Sequence, residues 1–487
     1  MDKYILAHDF GTSADKAVLF RTDGKIMGCR QASYPTIHKS NRMVEQDAHT
    51  WWKAFCENTK MLLKDMDPAQ IVCVSFDGTG PNCLCVDEKG EPLHKAMIWQ
   101  DNRAFAQAQA LNELIEKEYR GSVCEKISSD RTLPKLLWLK KNAPEIYAAT
   151  WKVLPCVSNY IILKLTGRAV CDYGVGRTTA LLDIDKKDWN DELLELVEVD
   201  RNILPELVDR THTAGVVSEN MSEACGLCAG TPVVTGSIDN ICTQIGAGIL
   251  NAGDVFLCGG TSASVEGYDN NGNRIGRPTA ASGGSIDWMR KNLCNIDQVV
   301  AEYHNVDVFD IIDDIIEKTP IGSNGVIFHP YLAGARSVFD NPKARGGFFG
   351  ITLKTTREDL IRSVVEGVGF NLNLILNMMR KSGMVITQMP IVGGLAKGTI
   401  VRQIFADIMN VELITYDHMD AAAALGAAIL GGISIGIYED EYAVKKFLKV
   451  TSITKPVPED HQKYAQIEPI FYEIYEQMQP VYDKIGQ

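Results

Sequence analysis

The stretch YILAHDFGTSADKAVLF, residues 4–20, decides the fold, because the chain states it twice. Tyr4–Asp9 reads as a strand, Gly11-Thr12-Ser13 as a tight turn and Lys16–Phe20 as a second strand. Asp23-Gly24 then turns the chain into a third strand over Ile26–Tyr34. A strand that returns through a turn differs from the strand–loop–helix of a dinucleotide-binding unit. Half a chain later, DVFLCGGTSASV at residues 254–265 repeats the arrangement, and the tetrapeptide Gly-Thr-Ser-Ala stands at both Gly11–Ala14 and Gly260–Ala263. Four shared letters alone are a weak coincidence. Set in the same strand–turn–strand pattern half a chain apart, they indicate two related domains.

Around these hairpins, helical periodicity at Thr50–Leu63 and Ala104–Glu118 alternates with apolar strand candidates at Ile71–Phe76 and Thr231–Thr235. The longest expected helix runs from Arg357 to Lys381. A Thr355-x-x-Glu358 capping box opens it, Arg380-Lys381 close it and Gly383 stops it. The glycine-rich stretch Gly246–Gly253 is the expected boundary, giving an N-terminal domain of 1–248 and a C-terminal domain of 249–487. Alternating strands and helices on both sides predict an α/β class.

With 45% hydrophobic and 23% charged residues, the 487-residue chain has the composition of a folded, soluble protein. Its formal charge of −13 argues against a nucleic-acid partner, since phosphate binding needs a basic surface. Asp9 interrupts the N-terminus before an apolar run develops, which excludes a signal peptide at that point. The uncharged stretch Ala421–Tyr438 is long enough to span a membrane. It is mostly Ala and Gly without flanking Lys or Arg, so the expectation is a buried, close-packed helix and turn. Thirteen scattered cysteines match reduced thiols and a cytoplasmic setting better than a disulfide framework.

Glycine lets a backbone approach an anion, and successive amides in a tight turn form an anion-binding nest to which Thr and Ser add hydroxyl donors. Asp9 precedes the first turn, where a carboxylate can hold Mg²⁺ directly or through water. Either turn alone is also the chemistry of an ordinary hairpin; two facing each other grip a polyphosphate from both sides. A third element, MPIVGGLAKG at 389–398, leads a strand through Gly393-Gly394 into a helix over Thr399–Met409. Such a passage lets the backbone lie flat against a purine or ribose, and it also serves as a plain strand-to-helix turn. Other motifs carry less. Gly432-Ile-Ser-Ile-Gly436 has the letters of a nucleophile elbow but follows a helical stretch, and Cys225-Gly-Leu-Cys228 has no second pair or neighbouring His. No GxxxxGK[ST] and no GxGxxG occurs.

These residues together resemble the FGGY carbohydrate kinases over nearly the whole chain, with xylulose kinases nearest in pattern. The most specific stretch is Gly346-Gly-Phe-Phe-Gly-Ile through Asp359-Leu-Ile-Arg-Ser363-Val-Val-Glu366, which is similar to the family's C-terminal signature. Thr132-Leu-Pro-Lys135-Leu-Leu-Trp138 resembles the N-terminal signature, with Asp130 departing from it. The resemblance implies two actin-like (ribonuclease H-like) domains around a nucleotide and sugar cleft that closes on substrate, and an ATP- and Mg²⁺-dependent kinase. It implies that Asp9, Gly11, Thr12, Ser13 and Lys16 form the first phosphate loop, with Asp9 toward the metal, and that Gly259, Gly260, Thr261 and Ser262 form the second. Gly283-Gly284 lie beside the nucleotide, and Gly393, Gly394 and Ala396 form the adenosine loop. Asp239 takes the place of the catalytic base, and Trp99, Asp101 and Arg103 fall in a substrate-side motif. Their plainer readings are a helix cap for Asp239, core packing for Trp99 and a surface charge for Arg103.

The pattern breaks where xylulose kinases carry Met-His-Gly: Gly80-Pro81-Asn82 stands there, and the Arg-Glu pair of glycerol kinases is missing too. Substrate contact is therefore expected from Thr79, Gly80, Pro81 and Asn82 by side chain or backbone. Glu45-Gln46-Asp47 and Pro330–Arg336 are similar to xylulose kinases, which makes a ketopentose such as D-xylulose the expected substrate. Another polyol, a tetrulose or an aldonate is the alternative; a non-sugar actin-fold ATPase is the alternative from another class. A homodimer, as is common among relatives, is the oligomeric expectation.

Overall fold

A computed structural model of the protein describes residues 2–40, 42–119, 126–417 and 419–485. It divides into two compact units, and the same sheet is built in each. The first unit comprises Met1–Gly248 with Ala421–Phe447, the second Ile249–Asp420 with Leu448–Gln487. In unit 1 the strands are β1 (Tyr4–Phe10), β2 (Ala14–Arg21), β3 (Ile26–Ser33), β4 (Ile71–Gly78), β5 (Thr213–Val216) and β6 (Pro232–Ile238), in the spatial order β3-β2-β1-β4-β6-β5. The β3-β2-β1 meander is antiparallel, β1-β4-β6 are parallel, and β5 closes the edge antiparallel to β6.

Unit 2 repeats this strand for strand. Its strands are β7 (Val255–Gly259), β8 (Ala263–Tyr268), β9 (Arg274–Pro278), β10 (Gln388–Gly393), β11 (Glu412–Tyr416) and β12 (Val450–Thr454). The order is β9-β8-β7-β10-β11-β12, with the same succession of antiparallel, antiparallel, parallel, parallel and antiparallel pairs. The two Gly-Thr-Ser turns occupy matching places, each joining the first strand of its sheet to the second.

Parallel central strands are buried on both faces, which is why β1 and β4 read as nearly continuous apolar runs. The helix Ala48–Leu63, capped by Asp47, brings Trp51 and Phe55 to one face of the unit 1 sheet. The other face meets the helix Ala422–Ser434, whose Gly431 lies over Ile5, Cys73 and Ser75. This segment is the uncharged stretch of the sequence, and it is buried as expected. Among the described residues no helix is long and apolar enough to cross a membrane. Its place corrects the linear division of the chain at 248: residues 421–447 leave the C-terminal half and complete the first unit's core. Sequence proximity could not reveal this, because the apolar helix pattern specifies burial without naming the sheet that provides it.

The same helix crosses the helix Asp239–Gly246 through reciprocal glycines. A Cβ on Gly246 would sit 1.8 Å from the Ala422 carbonyl oxygen, and one on Gly426 would sit 1.9 Å from that of Cys242. The backbones touch, and only glycine permits it.

In unit 2 the helix Arg357–Lys381 has the bounds read from sequence, but its cap lies one residue on. Thr356 and Asp359, rather than Thr355 and Glu358, form the capping box. The signature residues inside it prove structural. Glu366 is buried and accepts hydrogen bonds from Gly322 N–H, the Ser323 hydroxyl, Arg362 Nε and the Tyr464 hydroxyl, at 2.8–3.0 Å. Arg362 in turn donates to the carbonyls of Ile316 and Thr319. One buried ion pair thereby joins the long helix, the 316–323 connection and the C-terminal helix Pro458–Ile485. Ser434 ends its helix and pairs with the Thr213 hydroxyl, so the Gly432–Gly436 elbow pattern is not an elbow. None of the described cysteines forms a disulfide.

Candidate active site

Three carboxylates meet where the parallel strands of unit 1 end. Asp9 near the end of β1 lies in register with Asp77 near the end of β4, and Asp77 pairs across with Ser237 at the end of β6, two residues before Asp239. In open α/β sheets the carboxyl ends of the strands are where ligands bind. Lys16, directly opposite Asp9 on β2, shares its face. On the other face of the same two strands His8, Asp15, Asn58 and Thr59 form a closed polar network against the helix Ala48–Leu63. The alternation of the strands therefore separates the Asp9 and Lys16 face from this closed network.

Asp77 was not singled out by sequence. In Ser75-Phe-Asp-Gly-Thr it reads as a turn residue, and only the register with Asp9 reveals its place. It is wholly buried, and neither carboxylate oxygen accepts a hydrogen bond from any described N–H or O–H group. Burial, with Asp9 and Asp239 nearby, pushes its carboxyl well above the usual range. Burial raises Asp9 too, against the lowering effects of Asp77 and Lys16. Asp9 is half-buried and so is the reachable member of the pair. Asp239 is the first residue of its helix, whose N-cap is Ile238, so its side chain is not the cap; its Oδ1 accepts the Asn240 N–H at 2.6 Å and the residue is half-buried. Asp172, also missed by sequence, is buried beneath it. It accepts the Ser237 hydroxyl at 2.7 Å and two backbone amides, and burial pushes it up to about 6.

The first glycine turn is held from behind. The Gly11 carbonyl accepts the Tyr34 hydroxyl, the Thr12 carbonyl accepts Gln46 Nε2 at 2.6 Å, and the Ser13 carbonyl accepts the Tyr34 N–H at 3.0 Å. With three successive carbonyls engaged by protein groups, the amides of the turn are what remains to offer an anion. Gln46 is itself fixed by the Trp51 indole at 2.9 Å.

The substrate-side residues separate into accessible and buried sets. Gly80 and Trp99 are half-buried; Thr79, Pro81, Asn82 and Asp101 are buried. The Asn82 amide is spent on the Thr79 carbonyl (3.0 Å) and the Trp99 N–H (3.1 Å), so it shapes the loop. Asp101 accepts the Val44 N–H and forms a two-pronged pair with Arg103, whose Nη2 also reaches Glu45 at 2.7 Å. Arg103 is thus a paired, largely buried cation rather than a surface charge. Trp99 donates its indole N–H to the Thr12 hydroxyl at 3.1 Å, which ties this segment to the first glycine turn.

Unit 2 gathers the three remaining loops. The turn Gly260-Thr261-Ser262 is exposed, and the Gly284 N–H donates to the Thr261 carbonyl at 2.8 Å. A Cβ on Gly283 would lie 2.2 Å from the Gly260 carbonyl oxygen, and one on Gly393 would lie 2.6 Å from that of Gly259, its register partner on β7. Gly393 also has φ 82°, a conformation that favours glycine. Ala396 closes the turn from Gly394, its carbonyl held by Arg402. The Gly260–Ser262 turn, Gly283-Gly284 and the Gly393–Ala396 turn thus approach one another backbone to backbone, a surface whose chemistry suits phosphate and ribose. Cys258 stands where unit 1 has Asp9, so only the first copy of the duplicated turn carries a carboxylate.

The donors also suit a hard cation. Mg²⁺ takes one or two carboxylates and completes its shell with phosphate oxygens and water. Asp9, backed by Asp77, provides such oxygens, while no cluster of three or more His, Cys, Asp or Glu suited to a metal occurs among the described residues.

Duplicated sheets with glycine turns at matching strand ends define the class: an actin-like, two-domain nucleotide-binding fold. Residues 4–246 match the N-terminal domain of the FGGY family of carbohydrate kinases, and residues 276–435 match its C-terminal domain. The chain belongs to that family and is accordingly a phosphotransferase with an alcohol acceptor and ATP as the donor. A xylulose kinase of Bacillus subtilis is 26% identical over 97% of both chains, and a gluconokinase of the same organism is 26% identical over 100% of this chain and 98% of the relative. Among solved structures, a gluconate kinase from Lactobacillus acidophilus superposes with a TM-score of 0.87 at 25% identity, covering 99% of this chain and 100% of the other. A xylulose kinase from the same organism gives 0.85 at 24% identity, with 99% of each chain covered.

Proposed function

We propose that the protein transfers the γ-phosphoryl group of ATP to a hydroxyl of a small neutral sugar, a ketopentose such as D-xylulose. The observation that carries this reading is the convergence of Asp9, Asp77 and Asp239 at neighbouring strand ends beside a glycine turn with its carbonyls tied back. Phosphoryl transfer needs positioning, charge neutralisation and a group to take the acceptor's proton. Asp239 takes that proton, one carboxylate oxygen held by the Asn240 N–H. Asp9 would hold a magnesium ion, which would supply neutralisation of the phosphate charge. Gly11, Thr12 and Ser13, with Lys16, bind phosphate from unit 1. Within unit 2, Gly260, Thr261 and Ser262 offer a second phosphate-binding turn, and Gly283, Gly284, Gly393, Gly394 and Ala396 receive the nucleoside. Gly80 and Trp99 meet the sugar, while Asp101, Arg103 and Asn82 fix the segments that present them.

A second reading, an aldonate kinase, is favoured by the relatives named gluconokinase. Charge supports the neutral sugar over it. Asp9 and Asp239, the accessible carboxylates there, repel a substrate carboxylate, and Arg103 is spent on Asp101 and Glu45. The deciding experiment is coupled ADP release with Mg²⁺–ATP against D-xylulose, D-gluconate, tetruloses, pentitols and glycerol, with Asp239→Ala as control. Turnover on D-xylulose lost in the variant supports the ketopentose reading, and turnover on D-gluconate supports the second. Slow ADP release that ignores sugar and survives the substitution indicates an ATPase.

A further inference from the structure

The helix Thr132–Asn142 contains the N-terminal signature, and no step of the chemistry uses it. Its signature residues nevertheless each hold a different piece of the sugar side. The Thr132 hydroxyl donates to the Asn82 carbonyl at 2.8 Å. Three residues on, Lys135 is wholly buried, and its ammonium donates to the Pro81 carbonyl at 3.0 Å and the Ile98 carbonyl at 2.7 Å. Another turn along, the Trp138 ring lies 5.1 Å from the Arg103 guanidinium, which grips Asp101. Positions i, i+3 and i+6 lie along one side of a helix, so a single rigid rod touches segments 80–82 and 98–103 together.

A buried ammonium is costly, and it persists where its hydrogen bonds cannot be replaced cheaply. The charge-assisted bonds of Lys135 fall on carbonyls rather than on a carboxylate, so it is not one half of a salt bridge. Its two acceptors belong to different segments, which also bond to each other through Asn82 and Trp99. The carbonyls stand immediately beside Gly80 and Trp99, the accessible members of the sugar side.

We propose that Lys135 is a positioning residue for the acceptor sugar, spacing the 80–82 and 98–99 segments so that Gly80 and Trp99 form one binding surface. This rests on the kinase reading above, and it makes the N-terminal signature a specificity scaffold that tolerates changes of loop sequence such as Gly80-Pro81. Lys135 titrates within reach of ordinary assays: burial brings its ammonium down to about 8, against the support of Asp130, Cys83 and Asp101, with Arg103 opposing. Above that pH a neutral amine retains two N–H donors but loses the charge-assisted strength of both bonds.

The test compares full-length wild type with Lys135→Met and with the milder Thr132→Val, using Mg²⁺–ATP with D-xylulose and D-gluconate. For whichever sugar is phosphorylated, Lys135→Met raises the sugar KM by about tenfold or more while the ATP KM stays within about twofold. Thr132→Val moves the sugar KM the same way by less. The wild-type sugar KM rises through about pH 8, and that step is absent from Lys135→Met. Native-state hydrogen exchange is the readout independent of any sugar. Amides of 79–83 and 97–101 exchange faster in both variants, while those of β1 and of unit 2 keep their wild-type rates. An unchanged sugar KM, or equal effects on sugar and ATP, overturns the proposal. So does unaltered exchange in the two segments. Wild type that phosphorylates neither sugar defeats the ketopentose and aldonate readings alike, and the exchange data then decide the role of Lys135.

Discussion

Asp239 and Asp172, the latter bonded to Ser237 two residues before Asp239, answer to opposite experiments. Replacing Asp239 with Ala removes the group proposed to take the hydroxyl proton, so kcat should fall by about 10²–10⁴. ADP affinity by calorimetry stays at the wild-type level, because the carboxylate acts on the acceptor alone; a parallel loss of ADP binding would move Asp239 to the nucleotide. Asp172 shows its effect in stability. Its folded value of about 6 exceeds the ordinary 3.8, chiefly through burial, so between these the folded state holds a proton that the unfolded chain has released. The stabilisation from this group is full below the lower value and fades as pH climbs through the upper. In urea unfolding, Asp172→Asn therefore loses more relative to wild type near pH 4 than near pH 7; a gap independent of pH refutes the assignment. Asp9 was legible in sequence because a carboxylate just before a glycine turn has few uses, and Asp239 became so through the family resemblance. Asp77 and Asp172 were not, since a lone Asp at a strand end looks like turn chemistry until the neighbouring strand is in register. Lys135 was legible only as a signature letter; what it holds depends on two loops folded far from it in sequence.

Among the elements, the crossing of Asp239–Gly246 with Ala422–Ser434 is the least tolerant. Gly426→Ala puts a methyl within 1.9 Å of a backbone oxygen, and backbone cannot swing aside as a flexible side chain does. The variant should lose about 1–3 kcal/mol in urea unfolding, and because the partner helix starts with Asp239, kcat should fall with it. Wild-type stability would mean that the helices separate at little cost. Elements with local signals were read well: both hairpins, the strand into Gly393-Gly394, and the bounds of Arg357–Lys381. The capping box slipped by one because Thr355-Thr356 followed by Arg-Glu-Asp offers two registers, and only the geometry of the first turn chooses between them. The crossing itself could not be foreseen, since a glycine in a helix pattern records a close approach without naming what approaches.

For the whole molecule, the excursion of residues 421–447 matters most. The stretch 1–248 produced alone lacks the helix that covers the Ile5, Cys73 and Ser75 face of its sheet. It should show no cooperative thermal transition and should bind hydrophobic dyes, and adding residues 421–447 in trans should restore order. A cooperative 1–248 would show that the returning helix is dispensable. The fold class and the duplication were legible because each half carries the same turn, whereas this excursion was not, because the boundary at Gly246–Gly253 is real for one crossing of the chain and silent about the later two. During synthesis, the ribosome must deliver all of 249–420 before the piece that finishes the first unit emerges. At ordinary translation speeds that is a wait on the order of ten to thirty seconds. Throughout that interval the nascent sheet displays an uncovered apolar face, so this enzyme should depend on ribosome-associated chaperones more than its two-unit architecture suggests.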